Sequence, residues 1–281
     1  MNKLLQEIAS QNHLQLSETV RLSGGDINDV FLLKCPSESY VVKLNCASKF
    51  PDLFEAEAKG LQLLTSTNSF KIPSVIAEGS FENSSYLLME YIPSGKASAH
   101  FWTIFAEKLA ALHGNTQQYF GLDHNNYIGN LPQTNKLKES PSEFYITQRL
   151  EPQLRLAETK GYSFSNMDAF FKNSTILVPN EPPSLIHGDL WNGNYMIDET
   201  GAPVLIDPAA AFAPREMDLA MMQLFGGFSD EVYFKYHEIF PLYEGFKERT
   251  SLWQLYYLLV HLNLFGSSYF SQVKAIIKKY S

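Results

Sequence analysis

The chain has 281 residues, 45% of them hydrophobic, and a formal net charge of -8 at pH 7 from 22 Lys and Arg against 30 Asp and Glu. That length can bury one large core or two unequal ones. The acidic balance argues against wholesale binding to nucleic acid or an anionic membrane, both of which need basic surfaces.

Residues 1–13, MNKLLQEIASQNH, place Gln6 and Glu7 where a signal peptide needs an unbroken apolar segment. A short helix is expected here. Strands follow at TVRLS, DVFLLK and YVVKLN, separated by turn residues. Pairing the last two as a hairpin puts Cys46 about six residues past the partner of Cys35, roughly 20 Å at ~3.3 Å per residue. No disulfide is expected between them, and reduced thiols fit a cytoplasmic location.

Residues 50–64 carry Phe50, Phe54, Leu61 and Leu64 at helical spacing. Strand candidates PSVIAEG and SYLLMEYI come next, and from Pro93-Ser94-Gly95 the pattern turns to long helical periods. Two lobes are therefore expected, 1–91 and 92–281, with the boundary near the Tyr91 to Pro93 step. In the second lobe, 101–113 and 143–160 read as helices, and about three more follow Asp230. The stretch GLDHNNYIGNLPQTNKLKESPS, rich in Asn, Gly and Pro, reads as a surface loop. Residues 252–265, broken by Gln254, His261 and Asn263, are too short to cross a bilayer of about 30 Å and read as a core helix.

Between these lies LIHGDLWNGNYMIDETGAPVLIDPAAAF, residues 185–212. A brief strand at 184–186 precedes Asp189 and Asn194, and a hairpin of 195–197 with 204–206 precedes Asp207. Loop, hairpin and exit thus gather three oxygen-bearing side chains. Carboxylate and carboxamide oxygens suit magnesium, which takes one or two protein carboxylates and completes its shell with phosphates and water. Asn194 and Asp207 make such a partial cage, and Asp189 stands free to accept a proton from a substrate hydroxyl. An Asp, then an Asn five residues on, then an Asp after a short hairpin, is the protein-kinase arrangement. HGD has Gly188 where protein kinases have Arg, as in small-molecule kinases of the aminoglycoside and choline phosphotransferase type. Of the neighbours, His187 reads as a holder of loop backbone, Asp198 as a hairpin residue and Asp218 as a brace for the catalytic loop. His113 reads as a helix-terminal core residue. Phe225 to Phe228 mark a helix end.

The first lobe supplies parts of a nucleotide site. Gly24-Gly25 lies between two strands, where glycine permits close backbone approach to phosphates. In YVVKLN, alternation puts Val42 and Leu44 on one face and Val41 and Lys43 on the other. Glu57 falls within the apolar stripe of the helix after it, where an unpaired carboxylate would cost several kcal/mol, so Lys43 is its expected partner. This is the pair that orients a lysine on the nucleotide phosphates. At the lobe boundary, backbone groups of Glu90, Tyr91 and Ile92 can hydrogen-bond adenine.

Taken together, HGDLWNGN, the IDPA after it, REMDLAMMQLFGGF, YIGNLPQTN, FYITQRLEPQL and LYYLLVHLNLFG resemble the fructosamine kinases, or ketosamine-3-kinases. The motifs span nearly the whole chain. The resemblance implies an α+β, protein-kinase-like two-lobed fold: a small antiparallel-sheet lobe with one key helix, and a larger, mainly helical lobe. It implies ATP and Mg2+ as cofactors, Asp189 as proton acceptor, Asn194 and Asp207 on the metal, and Lys43 and Glu57 serving ATP. The implied reaction phosphorylates the 3-hydroxyl of a ketosamine, a small-molecule sugar adduct on an amine. Several members of the family carry a redox-active cysteine in the glycine-rich loop; this chain has Asp26 there, so no such switch is expected. Trp191 and Asn192 either shape the sugar pocket or pack under the loop, with packing the expectation for Trp191. A kinase for another hydroxylated amine uses the same parts. A nucleotide-binding pseudokinase is disfavoured by the intact set Lys43, Asp189, Asn194 and Asp207, and a metal-dependent hydrolase by the lack of a second histidine motif.

Overall fold

The computed structural model describes residues 2–22 and 28–281. Gly24, Gly25 and Asp26 lie outside the described residues. Helix α1 (Asn2–Gln11) precedes strands β1 (Glu18–Arg21), β2 (Asp29–Lys34) and β3 (Ser39–Cys46). Then come helix α2 (Leu53–Ser66) and strands β4 (Val75–Phe81) and β5 (Ser84–Glu90). The strands form an antiparallel sheet in the order β1-β2-β3-β5-β4. Helix α2 begins at Leu53, not at residue 50, because Pro51 drives the residue before it out of the helical region and Asp52 adopts a left-handed φ of 58°.

Alternation assigns each sheet face its partner. Val42, Leu44 and Leu88 pack with Leu5 and Ile8 of α1. Leu87 and Met89 face α2 and join a core that continues through Phe105 and Leu109 of α3 (Phe101–His113) to Leu185 and Leu205. Cys35 follows β2 at the turn while Cys46 ends β3, beyond the Asp29–Leu44 pairing, so the two thiols sit at opposite ends of this hairpin and both are free.

Within the expected surface loop, much of which is at least partly exposed, β6 (Asn126–Ile128) and β7 (Leu131–Gln133) form a short, partly buried hairpin. Asn126, Gln133 and Asn135 are buried. Each amide side chain carries both a donor and an acceptor, so these residues can complete backbone groups inside the molecule. Asn126 Nδ2 donates to the Ala210 carbonyl (2.8 Å), while Gln133 and Asn135 donate to Asn126 Oδ1 (2.8 and 2.9 Å). Polar composition had suggested a solvated loop, and at these three residues it serves a polar core.

Helix α4 (Pro141–Phe144), capped by Ser140, runs through a π-helical turn at Tyr145–Leu150 into α5 (Glu151–Thr159). Pro152 has no N–H for the Gln148 carbonyl four residues back, and Arg149 Nη1 donates to that oxygen (3.0 Å). Helix α6 (Met167–Leu177), which the sequence reading did not anticipate, leads to β8 (Ser184–Ile186), β9 (Tyr195–Ile197), β10 (Pro203–Leu205) and β11 (Ala211–Ala213). β9 pairs with β10 and β8 with β11. Helices α7 (Glu216–Leu224), α8 (Asp230–Ile239), α9 (Phe246–Phe265) and α10 (Phe270–Tyr280) complete the chain. Among the described residues, no helix is long and apolar enough to cross a membrane.

Candidate active site

β8 delivers its last residue into His187-Gly188-Asp189, and buried side chains hold that turn open. Asp218, in the first turn of α7, accepts from the His187 and Gly188 amides (2.7 and 2.9 Å). His113 Nε2 lies 3.2 Å from the same carboxylate, and its Nδ1 meets the Tyr236 hydroxyl at 2.8 Å. His187 Nε2 donates to the Ile206 carbonyl (2.9 Å), which leaves Nδ1 as the lone-pair atom that accepts from the Asp189 amide (3.3 Å). Burial pushes the His187 pKa down, favouring this neutral form. His187 and Asp218 thus hold the loop, as expected, and His113, expected as a helix-terminal core residue, is buried at the end of α3 and backs Asp218. Gly188 has φ 84°, and a Cβ there would lie 2.1 Å from the Ala209 carbonyl oxygen. No larger residue fits, which accounts for the glycine in HGD.

The turn brings Asp189 beside Asn194 and Asp207. Asn194 Nδ2 donates to Asp189 Oδ2 (3.1 Å) and to the Asp189 carbonyl (2.8 Å), and also reaches the Asp207 carbonyl at 3.4 Å. Asp207 takes a left-handed φ of 56°, uncommon for residues other than glycine. Burial, then the neighbouring Asp207 carboxylate, raises the Asp189 pKa to about 7. Asp198 stays in its hairpin, where Oδ1 accepts from the Thr200 and Ala202 amides (2.9 and 3.0 Å).

From the sheet, Lys43 reaches both Glu57 of α2 and Asp207, each at 2.5 Å. Burial alone would lower its pKa, but the Asp207 and Glu57 carboxylates outweigh that and hold the ammonium charged. The Lys43–Glu57 pair was expected, whereas the direct contact with Asp207 was not. It joins β3 to the residue two positions past β10, a proximity between distant segments that strand alternation does not reveal.

Among the described residues no group of three or more His, Cys, Asp or Glu could hold a metal ion by itself. A two-ligand site fits magnesium better, since that ion keeps waters and phosphates in its shell. With its nitrogen turned to Asp189, Asn194 has its amide oxygen left for a hard cation, next to the Asp207 carboxylate.

These residues line a cavity of about 490 Å³. Lys43, Glu57, Asp189, Asn194 and Asp207 form one end, and the last turns of α9 the other. Trp191 does not pack under the loop: it is 39% exposed, lines the cavity, and lies so close to Gly193 that a Cβ there would meet its ring at 2.4 Å. Asn192 lines the cavity too. Glu90, Tyr91 and Ile92 are not among its lining residues. The Glu90 amide donates to the Ser74 carbonyl (2.9 Å) and the Tyr91 amide to the Ser39 carbonyl (3.3 Å), so neither amide is free for adenine as the sheet stands.

The fructosamine kinase family model matches residues 1–281. A protein of Enterococcus faecium named a probable ketoamine kinase is 39% identical, over 94% of this chain and 95% of its own. One of Vibrio parahaemolyticus with the same name is 38% identical, over 94% and 93%. A crystal structure assigned by name to a fructosamine-3-kinase of Haemophilus somnus superimposes with TM-score 0.89 at 32% identity, covering 99% of this chain and 96% of that one. An aminoglycoside phosphotransferase, 16% identical with TM-score 0.62, shares the fold, which is the α+β kinase-like fold expected.

Proposed function

The chain belongs to the fructosamine kinase family, and we propose that it transfers the γ-phosphoryl group of ATP to the 3-hydroxyl of a small-molecule ketosamine in the cytoplasm. The observation that carries the reading is the placement of Asp189: a carboxylate with a pKa raised to about 7, in a cavity, hydrogen-bonded to Asn194 and adjacent to Asp207. A carboxyl whose pKa burial raises toward the working pH suits general-base catalysis.

Asp189 accepts the proton of the 3-hydroxyl as its oxygen bonds to phosphorus and the bond to the nucleoside diphosphate breaks. Lys43, oriented by Glu57, sets a fixed positive charge on the nucleotide phosphates, where negative charge develops. Asn194 and Asp207 would hold Mg2+, which supplies charge neutralisation along the phosphate chain. Residues 1–91, which carry Lys43 and Glu57, act as the nucleotide lobe. Residues 92–281 carry the acceptor. In the product, loss of a C1 proton expels the C3 phosphate, and hydrolysis of what remains frees the amine, so the step serves deglycation.

The test is ATP consumption with fructosamines, ribulosamines, choline and aminoglycosides in parallel. Turnover with the ketosamines alone supports the reading. Turnover restricted to choline or aminoglycosides removes it.

A further inference from the structure

The proposed chemistry occupies one end of the cavity and leaves the other unexplained. That outer end is built on α9, where Tyr257, His261 and Phe265 recur every four residues and so lie along one face. Trp191, Phe225 and Phe265 are among the exposed large hydrophobic side chains, and all three border this cavity. Exposed aromatics gathered at one opening mark a binding surface. His261 stands among their rings, with centroids 4.7 Å from Phe225, 5.5 Å from Phe265 and 5.2 Å from Tyr269.

The hydrogen bond of His261 determines what its ring offers. Nδ1 lies 2.8 Å from the Tyr257 carbonyl, which can only accept, so Nδ1 carries the proton. Burial lowers the His261 pKa and favours the neutral ring, whose Nε2 is then a bare acceptor. One helical turn back, the Tyr257 hydroxyl is buried with no hydrogen-bond partner among the described residues. Among the described lining residues, Lys43 is the sole Lys or Arg, and it is engaged at the opposite end.

We propose that this outer end is the subsite for the amine side of the substrate: His261 Nε2 accepts from a secondary ammonium, and Phe225, Phe265 and Trp191 pack on an apolar or aromatic amine substituent. The assignment rests on the ketosamine reading above. A secondary amine is protonated at neutral pH, and aromatic faces attract the resulting cation. A carboxylate on the amine substituent meets no Lys or Arg there among the described lining residues. The chemical class selected is therefore the adduct of an alkyl or aryl amine over that of an α-amino acid.

The experiment uses two adducts of one sugar, on benzylamine and on glycine, with the parent protein and the His261→Leu and His261→Gln variants. The parent should favour the benzylamine adduct by about tenfold or more in kcat/KM. A hydrogen bond to a charged group contributes about 1.5–3 kcal/mol, so His261→Leu should raise the KM for that adduct about 10- to 100-fold, with kcat within about threefold and the ATP KM unchanged. His261→Gln, which restores an acceptor, should recover most of the loss. An unmoved ketosamine KM in His261→Leu, or equal use of the glycine adduct by the parent, overturns the subsite while the ketosamine reading stands. A parent silent on both adducts overturns the ketosamine reading and the subsite with it.

Discussion

Two sets of buried ion pairs use the same residue types for opposite ends. In the helical part, the Arg249 guanidinium grips both Glu216 oxygens (2.6 and 2.5 Å) and also donates to the Tyr243 and Glu244 carbonyls. Trp253 Nε1 adds a further bond to Glu216. Arg215 holds both Glu181 oxygens, the Tyr236 hydroxyl and the Phe240 and Pro241 carbonyls, with its guanidinium 3.8 Å from the Phe240 ring centroid. At the cleft, Lys43 instead shares its ammonium between Glu57 and an Asp207 side chain that is 41% exposed. The first set has its donors matched by acceptors in planar, two-pronged geometry and works as scaffold. The second leaves a charge that a phosphate can reach, beside an acid in a left-handed backbone conformation. Pairing alone does not separate structure from function; completeness of pairing does.

The sharpest way to break this contrast is at the base. Asp189→Asn should lower turnover about 10²- to 10⁴-fold while nucleotide affinity, by calorimetry, stays near that of the parent. A scaffold residue should behave the other way. Glu216→Ala strands a buried guanidinium and should cost about 3–5 kcal/mol, a fall in Tm of about 6–20 °C at about 2–4 °C per kcal/mol. The protein that remains folded should keep its substrate KM values. Lys43→Ala should reduce kcat/KM for ATP about 10²- to 10³-fold with a smaller fall in Tm than Glu216→Ala, because the stranded Glu57 carboxyl, whose pKa burial already raises, can take up a proton whereas a guanidinium cannot lose one. Equal Tm losses for the two would erase the distinction.

The smallest effect concerns the pH dependence of stability. Folded Asp189 holds its proton up to about pH 7, whereas unfolded it releases it near pH 4. The folded state thus binds more protons between those values, and stability contributed here falls as pH rises from about 4 through 7. In metal-free buffer, Asp189→Asn should melt a few degrees above the parent at pH 8, with the two curves converging toward pH 4.5. A gain of equal size at both pH values would assign the effect to packing instead.

Much of the site could be read from spacing alone. Strand alternation put Lys43 on the face of Glu57, and the interval from Asp189 to Asn194 put a carboxamide beside the acid. What escaped notice depends on packing between distant elements. The Lys43–Asp207 contact joins residues 164 apart, Arg215 finds Glu181 from 34 away, and the α9 stripe becomes a wall only once Trp191 and Phe225 stand opposite it. Asn126, Gln133 and Asn135 look like loop residues because their chemistry is that of loops; burial makes them a network. The Glu90 and Tyr91 amides, at a strand end, read as spare until Ser74 and Ser39 are seen to take them.

The central claim is that Asp189 activates the 3-hydroxyl of a ketosamine. Phosphorus-31 and proton NMR of the product, made from a fructosamine with parent and Asp189→Asn proteins at matched ATP saturation, tests it most directly. The account predicts a phosphate ester coupled to the C3 proton with the parent, and product formation at least about 10²-fold slower with the variant. A phosphate at another carbon, or a variant that forms product at the parent's rate, would contradict it.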